Sequence, residues 1–456
     1  PVYWQWRPPQ NGIIPFSDGI MWSMPLATSI AGAALPGTLS INSGCIEAGV
    51  IFMTAAYNLG EFSGGYQIEA GYNANTGAQL WITNRTEPAN TEFKIIPATA
   101  GIYAEVNQNT NTLTGFSMTT GTKEWGPITL PDVQSYTSVG GYQYVSANGI
   151  DYLWGFGGTI YAINMANGVF NWYTNTTVLT GPSGSDTPYA IWPLWTFTVG
   201  SVAGGELFVP EGHQYSPPLF NGAQQLAINC TNGQLVWSNL AFDVTSGPAI
   251  SDGVMIAFNS YDNQIYAYGQ GPTKICVNAP DVSVTTAAPI TITGTVTDIS
   301  AGSQQNAIAM NFPNGLPCVS DASMEGFMDA VYEQQPMPTN ITGVPVTLSV
   351  LDSNGNYRSI GTTTTNALGD YSFTWTPDIS GKYTVYATFA GTDAYYGSSA
   401  STGFYAGASA ATSAPTATPL TGLASNTTVM YAVVAMIIVF IVGIAIVALL
   451  VTRKHP

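Results

Sequence analysis

Residues 160–172 read IYAINMANGVFNW, and their reading decides the fold. A small residue at Ala162, a glycine at Gly168 and a tryptophan at Trp172 recur with the same spacing in GYNANTGAQLW (71–81), GFSMTTGTKEW (115–125) and AINCTNGQLVW (227–237). The first place is held by Gly71, Gly115, Ala162 and Ala227. One such match would mean little, but four in register define a repeat, with tryptophans 44, 47 and 65 residues apart. Asn-Gly and Thr-Gly pairs favour the tight turns that join antiparallel strands, so Gly77, Gly121, Gly168 and Gly233 are expected at two-residue reversals. Trp81, Trp125, Trp172 and Trp237 then open outer strands, and the small residue lets neighbouring units approach. Each interval suits one four-stranded unit. A fifth unit, GPAISDGVMIAFNSYDNQIYAYGQG, stops before any Gly-x3-Trp, while GIMWSMPL near the other end looks like an orphan outer strand. Because an open sheet edge invites aggregation, Trp22 is expected to complete the sheet of residues 247–269.

After Gly271 the pattern becomes alternating strands without the signature. Val346, Leu348 and Val350 fall on one face, Tyr383, Val385, Ala387 and Phe389 on another, with SNGN and ALGD as turns. This resembles the immunoglobulin-like (Ig-like) β-sandwich modules of prokaryotic surface proteins, over residues 272–405. An insertion near 320–335 carries Met324, Phe327, Met328 and Val331 at helical spacing, with Ser320 expected to cap it and Pro336 to stop it. Residues 406–428 are a Ser/Thr/Ala/Pro stretch that cannot bury a core and read as a stalk. Residues 429–451, VMYAVVAMIIVFIVGIAIVALLV, hold no charge and exceed the roughly 20 residues needed to cross a bilayer. Arg453 and Lys454 follow directly, so residues 452–456 are expected in the cytoplasm and the remainder outside the cell.

Charged residues make up only 8% of the chain, against about 25% in ordinary soluble proteins. Glycine and uncharged polar residues fill the gap, and 12% aromatic content supplies buried area, which argues against disorder. The net charge of −17 excludes nucleic acid as a partner, since phosphates demand clustered Lys and Arg. An extracellular location agrees with sequons at Asn84, Asn175, Asn229, Asn340 and Asn426, candidates for N-glycosylation. It also agrees with Cys45, Cys230, Cys276 and Cys318, which permit disulfides in any of three connectivities. The chain opens PVYWQWRPPQ, with neither an initiator Met nor a leader, which predicts upstream sequence that has been removed.

Groups for acid–base chemistry are scarce. His455 belongs to the tail, and His213, beside Glu211, is expected to be a loop histidine bonded to backbone rather than a ligand or base. Asp321, Glu325, Asp329 and Glu333 recur every fourth residue along the inserted helix, an arrangement of like charges that costs a few tenths of a kcal/mol per pair. Calcium, a basic partner or acidic surroundings would relieve it, and these four are the candidate metal ligands. A solvated helix face is the expectation, because carboxylates so spaced do not converge on one ion. DSNGN (352–356) lacks the downstream Glu of a calcium loop and reads as a hairpin turn.

The repeat resembles the pyrroloquinoline-quinone-like (PQQ-like) β-propeller blade over residues 1–271, implying about five blades or part of a larger ring. In the quinoprotein dehydrogenases of that class a ring cysteine pair, a calcium with acidic ligands and an aspartate base lie at the axis. This chain has no adjacent cysteine pair, and Gly71 and Gly115 replace the usual Ala in two blades. Taken with EGHQYSPPLFNGAQQLAINCTNGQLVWS and MEGFMDAVYEQQPMPTNITGVPVTLSV, the order of segments resembles large archaeal cell-surface proteins with PQQ-like repeats. The expected fold class is therefore all-β, a propeller followed by an Ig-like sandwich, with one C-terminal transmembrane helix. The expected function is a non-catalytic surface scaffold for binding, adhesion or envelope assembly, without catalytic residues or a cofactor. Calcium is the single metal alternative, and an extracellular quinoprotein-type oxidoreductase the alternative function. Expected partners are the membrane and protein or glycan ligands at the cell surface, with a homo-oligomer or lattice as the assembled form.

Overall fold

The computed structural model describes residues 16–58, 64–87, 93–107, 110–131, 143–155, 158–176, 200–211, 223–243, 247–408 and 425–453. Four antiparallel four-stranded sheets follow one another in the order of the sequence. Blade one holds Ser40–Glu47, Val50–Asn58, Gly65–Asn73 and Gln79–Glu87; blade two holds Phe93–Thr99, Ile102–Asn107, Thr112–Ser117 and Lys123–Thr129. Blade three holds Gln143–Ala147, Ile150–Trp154, Thr159–Asn164 and Val169–Asn175, and blade four Ser201–Ala203, Glu206–Pro210, Gln224–Asn229 and Leu235–Leu240. A fifth sheet has three strands, Ala249–Ser251, Val254–Asn259 and Gln264–Tyr268. The first strands of successive sheets lie side by side, which is the radial arrangement of a propeller, with apolar clusters filling the gaps between blades.

The turns differ from expectation. Gly77, Gly121, Gly168 and Gly233 do adopt positive φ, but each closes a four-residue connection in which its N–H bonds the carbonyl four residues back. The two-residue turns with both residues at positive φ join instead the first two strands of each sheet: Ala48-Gly49, Ala100-Gly101, Asn148-Gly149, Gly204-Gly205 and Asp252-Gly253. Their twist matches the strands they connect; five mark the five blade sheets, and a sixth, Ala31-Gly32, joins the short pair Ser29–Ile30 and Ala33–Ala34. The Gly-x3-Trp spacing has a separate cause. A bulge places one extra residue, Leu80, Glu124, Asn171 or Val236, before each tryptophan, and so re-aims the ring.

Trp22 does not complete the fifth sheet. Its indole N–H donates to the Ala74 carbonyl (2.9 Å) and its ring covers Gly77, so it occupies on blade one the place that Trp81 takes on blade two. The segment around it is held by side-chain docking, including Ala27 N–H to the Tyr72 hydroxyl, rather than by a ladder, and the fifth sheet has no fourth strand among the described residues.

From Tyr268 the chain passes within a few residues into two facing sheets. One contains Thr273–Asn278, Ile290–Asp298, Leu316–Pro317 and Asp370–Trp375; the other contains Val284–Thr285, Tyr396–Gly407, Gly381–Gly391, Pro345–Leu351 and Tyr357–Thr364. Ile292, Val296, Leu348, Tyr383, Val385 and Phe404 meet in their shared core, and the last strand runs to Gly407, just past the expected boundary. The DSNGN segment is a turn in which Asp352 accepts from the N–H groups of Asn354 and Asn356. Helix α1 (Asn306–Asn311) and helix α2 (Asp321–Tyr332) are inserted between strands of these sheets. Phe327, Met324, Met328 and Val331 of α2 pack with Ile308, Leu316 and Val319. Ser320 stands at the N-cap position but its side chain makes no capping bond, and the helix ends at Tyr332, with Gln334 in the left-handed region, before Pro336 is reached.

Helix α3 (Asn426–Thr452) is 27 residues, about 40 Å at 1.5 Å per residue, with Ser425 as its cap. It is apolar on all sides, exposed throughout, and long enough to cross a membrane.

Candidate functional site

The signature residues are placed for packing. Gly71, Gly115, Ala162 and Ala227 stand directly across the ladder from Trp81, Trp125, Trp172 and Trp237 in their own sheets. At Gly115 a Cβ would lie 2.1 Å from the Trp125 ring, so the small residue admits its own tryptophan rather than the next blade. The indole then reaches across. Trp81, Trp125 and Trp172 donate to the carbonyls of Met118, Met165 and Cys230 at 2.7–2.8 Å and lie over Gly121, Gly168 and Gly233 of the following blade. Trp237 faces a sheet lacking that turn and stacks on Tyr268 instead.

Between blades one and two lies a charged contact that the sequence did not mark. Arg85 pairs with Glu69 (2.7 Å) and Glu105 (3.0 Å), donates to the Tyr103 hydroxyl and the Gly121 carbonyl, and sits over the Phe116 ring. Its guanidinium is the cation shared by two acids, a closed arrangement in which the charge is spent on binding the blades together. The signal was available, since Arg85 is one of only nine basic residues, but no spacing rule links it to Glu69 and Glu105.

The acidic array on α2 behaves otherwise. Asp321 turns away toward the N–H groups of Asp393 and Ala394. The remaining three meet the propeller, Glu325 while still exposed: Glu325 accepts from the Ser238 hydroxyl (2.7 Å), Asp329 from the Leu240 backbone, and Glu333 from the Asn239 amide (3.1 Å). The expected solvated face is thus an interface, because the Met324/Phe327/Met328 side buries in the two-sheet unit and leaves the opposite side against blade four. A cleft of about 850 Å³ opens there, lined by Gln224, Leu240, Tyr261, Asp262 and the acids of α2, with no Lys or Arg among its lining residues. Behind it Asp243 is 1% exposed, and neither of its oxygens has a hydrogen-bond partner among the described residues.

Burial and like charge act together here. Burial, then Glu325, raises Asp329 to about 6; burial, then Asp329, raises Glu333 to about 8; burial, then Asp262, raises Asp243 to about 7. Among the described residues no group of three or more His, Cys, Asp or Glu is placed to hold a metal ion, so the α2 carboxylates do not converge as calcium ligands would. Glu211 is buried beside Gln224, its N–H bonded to that residue's carbonyl, and His213 lies outside the described residues. Among the described residues Cys230, Cys276 and Cys318 form no disulfide with one another, and the Cys45 side chain lies outside the described residues. Of the sequons, Asn84, Asn340 and Asn426 are exposed, whereas Asn175 and Asn229 are half-buried and bonded, to Thr159 and to the Thr231 N–H.

No protein-family model matches the chain, and no curated protein matches it. Among solved structures it is similar to BamB from Moraxella catarrhalis, at 14% identity over 59% of this chain and 77% of that one, with a TM-score of 0.31. It is also similar to Sqt1 of Saccharomyces cerevisiae (12% identity, 56% and 69%, TM-score 0.30). A third is quinohemoprotein alcohol dehydrogenase from Comamonas testosteroni (11% identity, 55% and 55%, TM-score 0.31). Likeness of this degree carries no activity or ligand to this chain.

Proposed function

We propose that the chain is a membrane-anchored surface protein whose propeller is a non-catalytic scaffold, held outside the cell by an Ig-like module and a stalk for binding or envelope assembly. The observation that carries this reading is the use made of the signature. Each of Trp81, Trp125 and Trp172 spends its N–H on a carbonyl of the next blade and its ring on that blade's turn glycine, leaving no signature residue for chemistry. A quinone would need groups that polarise its carbonyls and a base for the substrate proton. Helix α3 supports the anchor, and Arg453 after it supports a cytoplasmic tail. Two measurements test the reading. Deleting residues 425–456 should release the protein from membranes, and a deletion product that stays membrane-bound refutes the anchor. The purified full chain, given quinone and calcium, should take up no stoichiometric quinone and oxidise no alcohol or aldose with a dye acceptor; calcium-dependent turnover refutes the scaffold.

A further inference from the structure

The cleft between blade four and α2 has a property that scaffolding does not require: its unmet hydrogen-bonding groups are all acceptors. Among the described residues Gln224, which lines it at 8% exposure, leaves Oε1 buried and unpartnered, and Asp329 leaves Oδ1; Asp243, which does not line the cleft, leaves both oxygens unpartnered behind it. Gln224 is neutral and stands on the propeller side, so its unmet oxygen is an observation separate from the acids of α2. Buried acceptors without donors are costly, and what satisfies them must bring N–H groups. Asp262, Glu325 and Asp329 ask in addition that it be cationic, and a cation beside Glu333 would draw off the proton that burial leaves on it.

The spacing narrows the class. Glu325, Asp329 and Glu333 advance by about 6 Å per step at 1.5 Å per residue, a row rather than a cage. A metal ion needs ligands converging on one point, and the described residues offer no such group. A row of carboxylates is matched by a row of amines separated by short methylene linkers. The linkers find apolar surface on Leu240, Tyr261 and Tyr332, whose rings also favour a nearby cation. We propose that this cleft binds a linear polyamine, laid along α2 with its ammonium groups on Glu325, Asp329 and Glu333 and an end donating to Gln224.

The test is titration calorimetry of the full chain in detergent with spermidine, beside calcium chloride, at physiological ionic strength. The expected result is saturable binding of one spermidine, weakened about tenfold or more in Glu325→Gln/Glu333→Gln and in Asp262→Asn, and unchanged in Glu124→Gln on the exposed outer edge of blade two. Removing like charges relieves repulsion, so these variants should melt no lower than the parent. Three results would each overturn the proposal: no saturable heat, binding indifferent to all cleft substitutions, as diffuse attraction to an acidic surface would be, or calcium displacing spermidine at equal concentration. None of them bears on whether α3 anchors the protein.

Discussion

Blade packs on blade, and α2 packs on blade four, by opposite means. Between blades the contact is a tryptophan in a slot, with a small residue beneath it, a turn glycine beyond it and one carbonyl for its N–H. Between α2 and blade four it is carboxylate against amide and hydroxyl, with charge unmatched. The first design repeats because each blade presents the next with the same two surfaces. The second occurs once, and its acids have no Lys or Arg beside them, as Glu69 and Glu105 between the blades have Arg85. The difference teaches that a repeated interface is optimised for packing, whereas a unique one can carry unmet polar groups and so be responsive to what surrounds it.

The sharpest break of this contrast is Trp172→Ala. It should cost about 3–5 kcal/mol, the range for truncating a buried large aromatic, and lower the thermal midpoint followed by near-ultraviolet circular dichroism. A loss under about 1 kcal/mol would mean that the slot does not hold blades three and four together. Gly121→Ala comes next. Its φ is positive and a new Cβ would stand 2.5 Å from the Trp81 ring, so about 1–3 kcal/mol is expected, while Gly37→Ala, with open space around it, should change little.

The α2 interface should respond to pH, as should blade three, where burial raises Asp151 to about 7. Asp329, Asp243 and Glu333 have pKa values raised on folding, so in the folded state they bind protons that the unfolded chain has released. Their stabilising contribution is therefore complete below the unfolded pKa of about 4 and is lost as pH rises through 6–8. Glu333→Gln should gain on the order of 1 kcal/mol at pH 8, gain nothing at pH 4, and flatten the slope between; a gain equal at both would show that charge is not the cause. Smallest is Ser238→Ala, which removes one hydrogen bond to an exposed carboxylate and should cost about 0.5 kcal/mol in the same melting assay.

Much of the propeller could be read from the chain because its cause is local and repeated. Gly-x3-Trp reflects a turn and a bulge within one sheet, so four copies show the same spacing. The paired turns at Ala48-Gly49 through Asp252-Gly253 were as regular and went unread: Ala at positive φ carries no sequence mark in two of them, while Asn148-Gly149, Gly204-Gly205 and Asp252-Gly253 carried the tight-turn pair but lie outside the Gly-x3-Trp pattern. Trp22 was expected on an outer strand completing the fifth sheet, but it lies in no strand and docks on blade one, because a turn glycine and the Ala74 carbonyl there lie within reach of its indole.

The sequence by itself determined what nearest neighbours and composition control: the repeat and its small-residue positions, the alternating strands after Gly271, the apolar stripe of α2 and the uncharged 23-residue run within α3. These follow from periodicities of two and 3.6 residues and from the absence of charge, which act within one element. Only the tertiary structure decided which side of α2 met blade four, which carboxylates were buried together, and that Arg85 would join Glu69 to Glu105. Those contacts join residues far apart in the chain, and their energies depend on burial and distance, which no spacing along a sequence encodes.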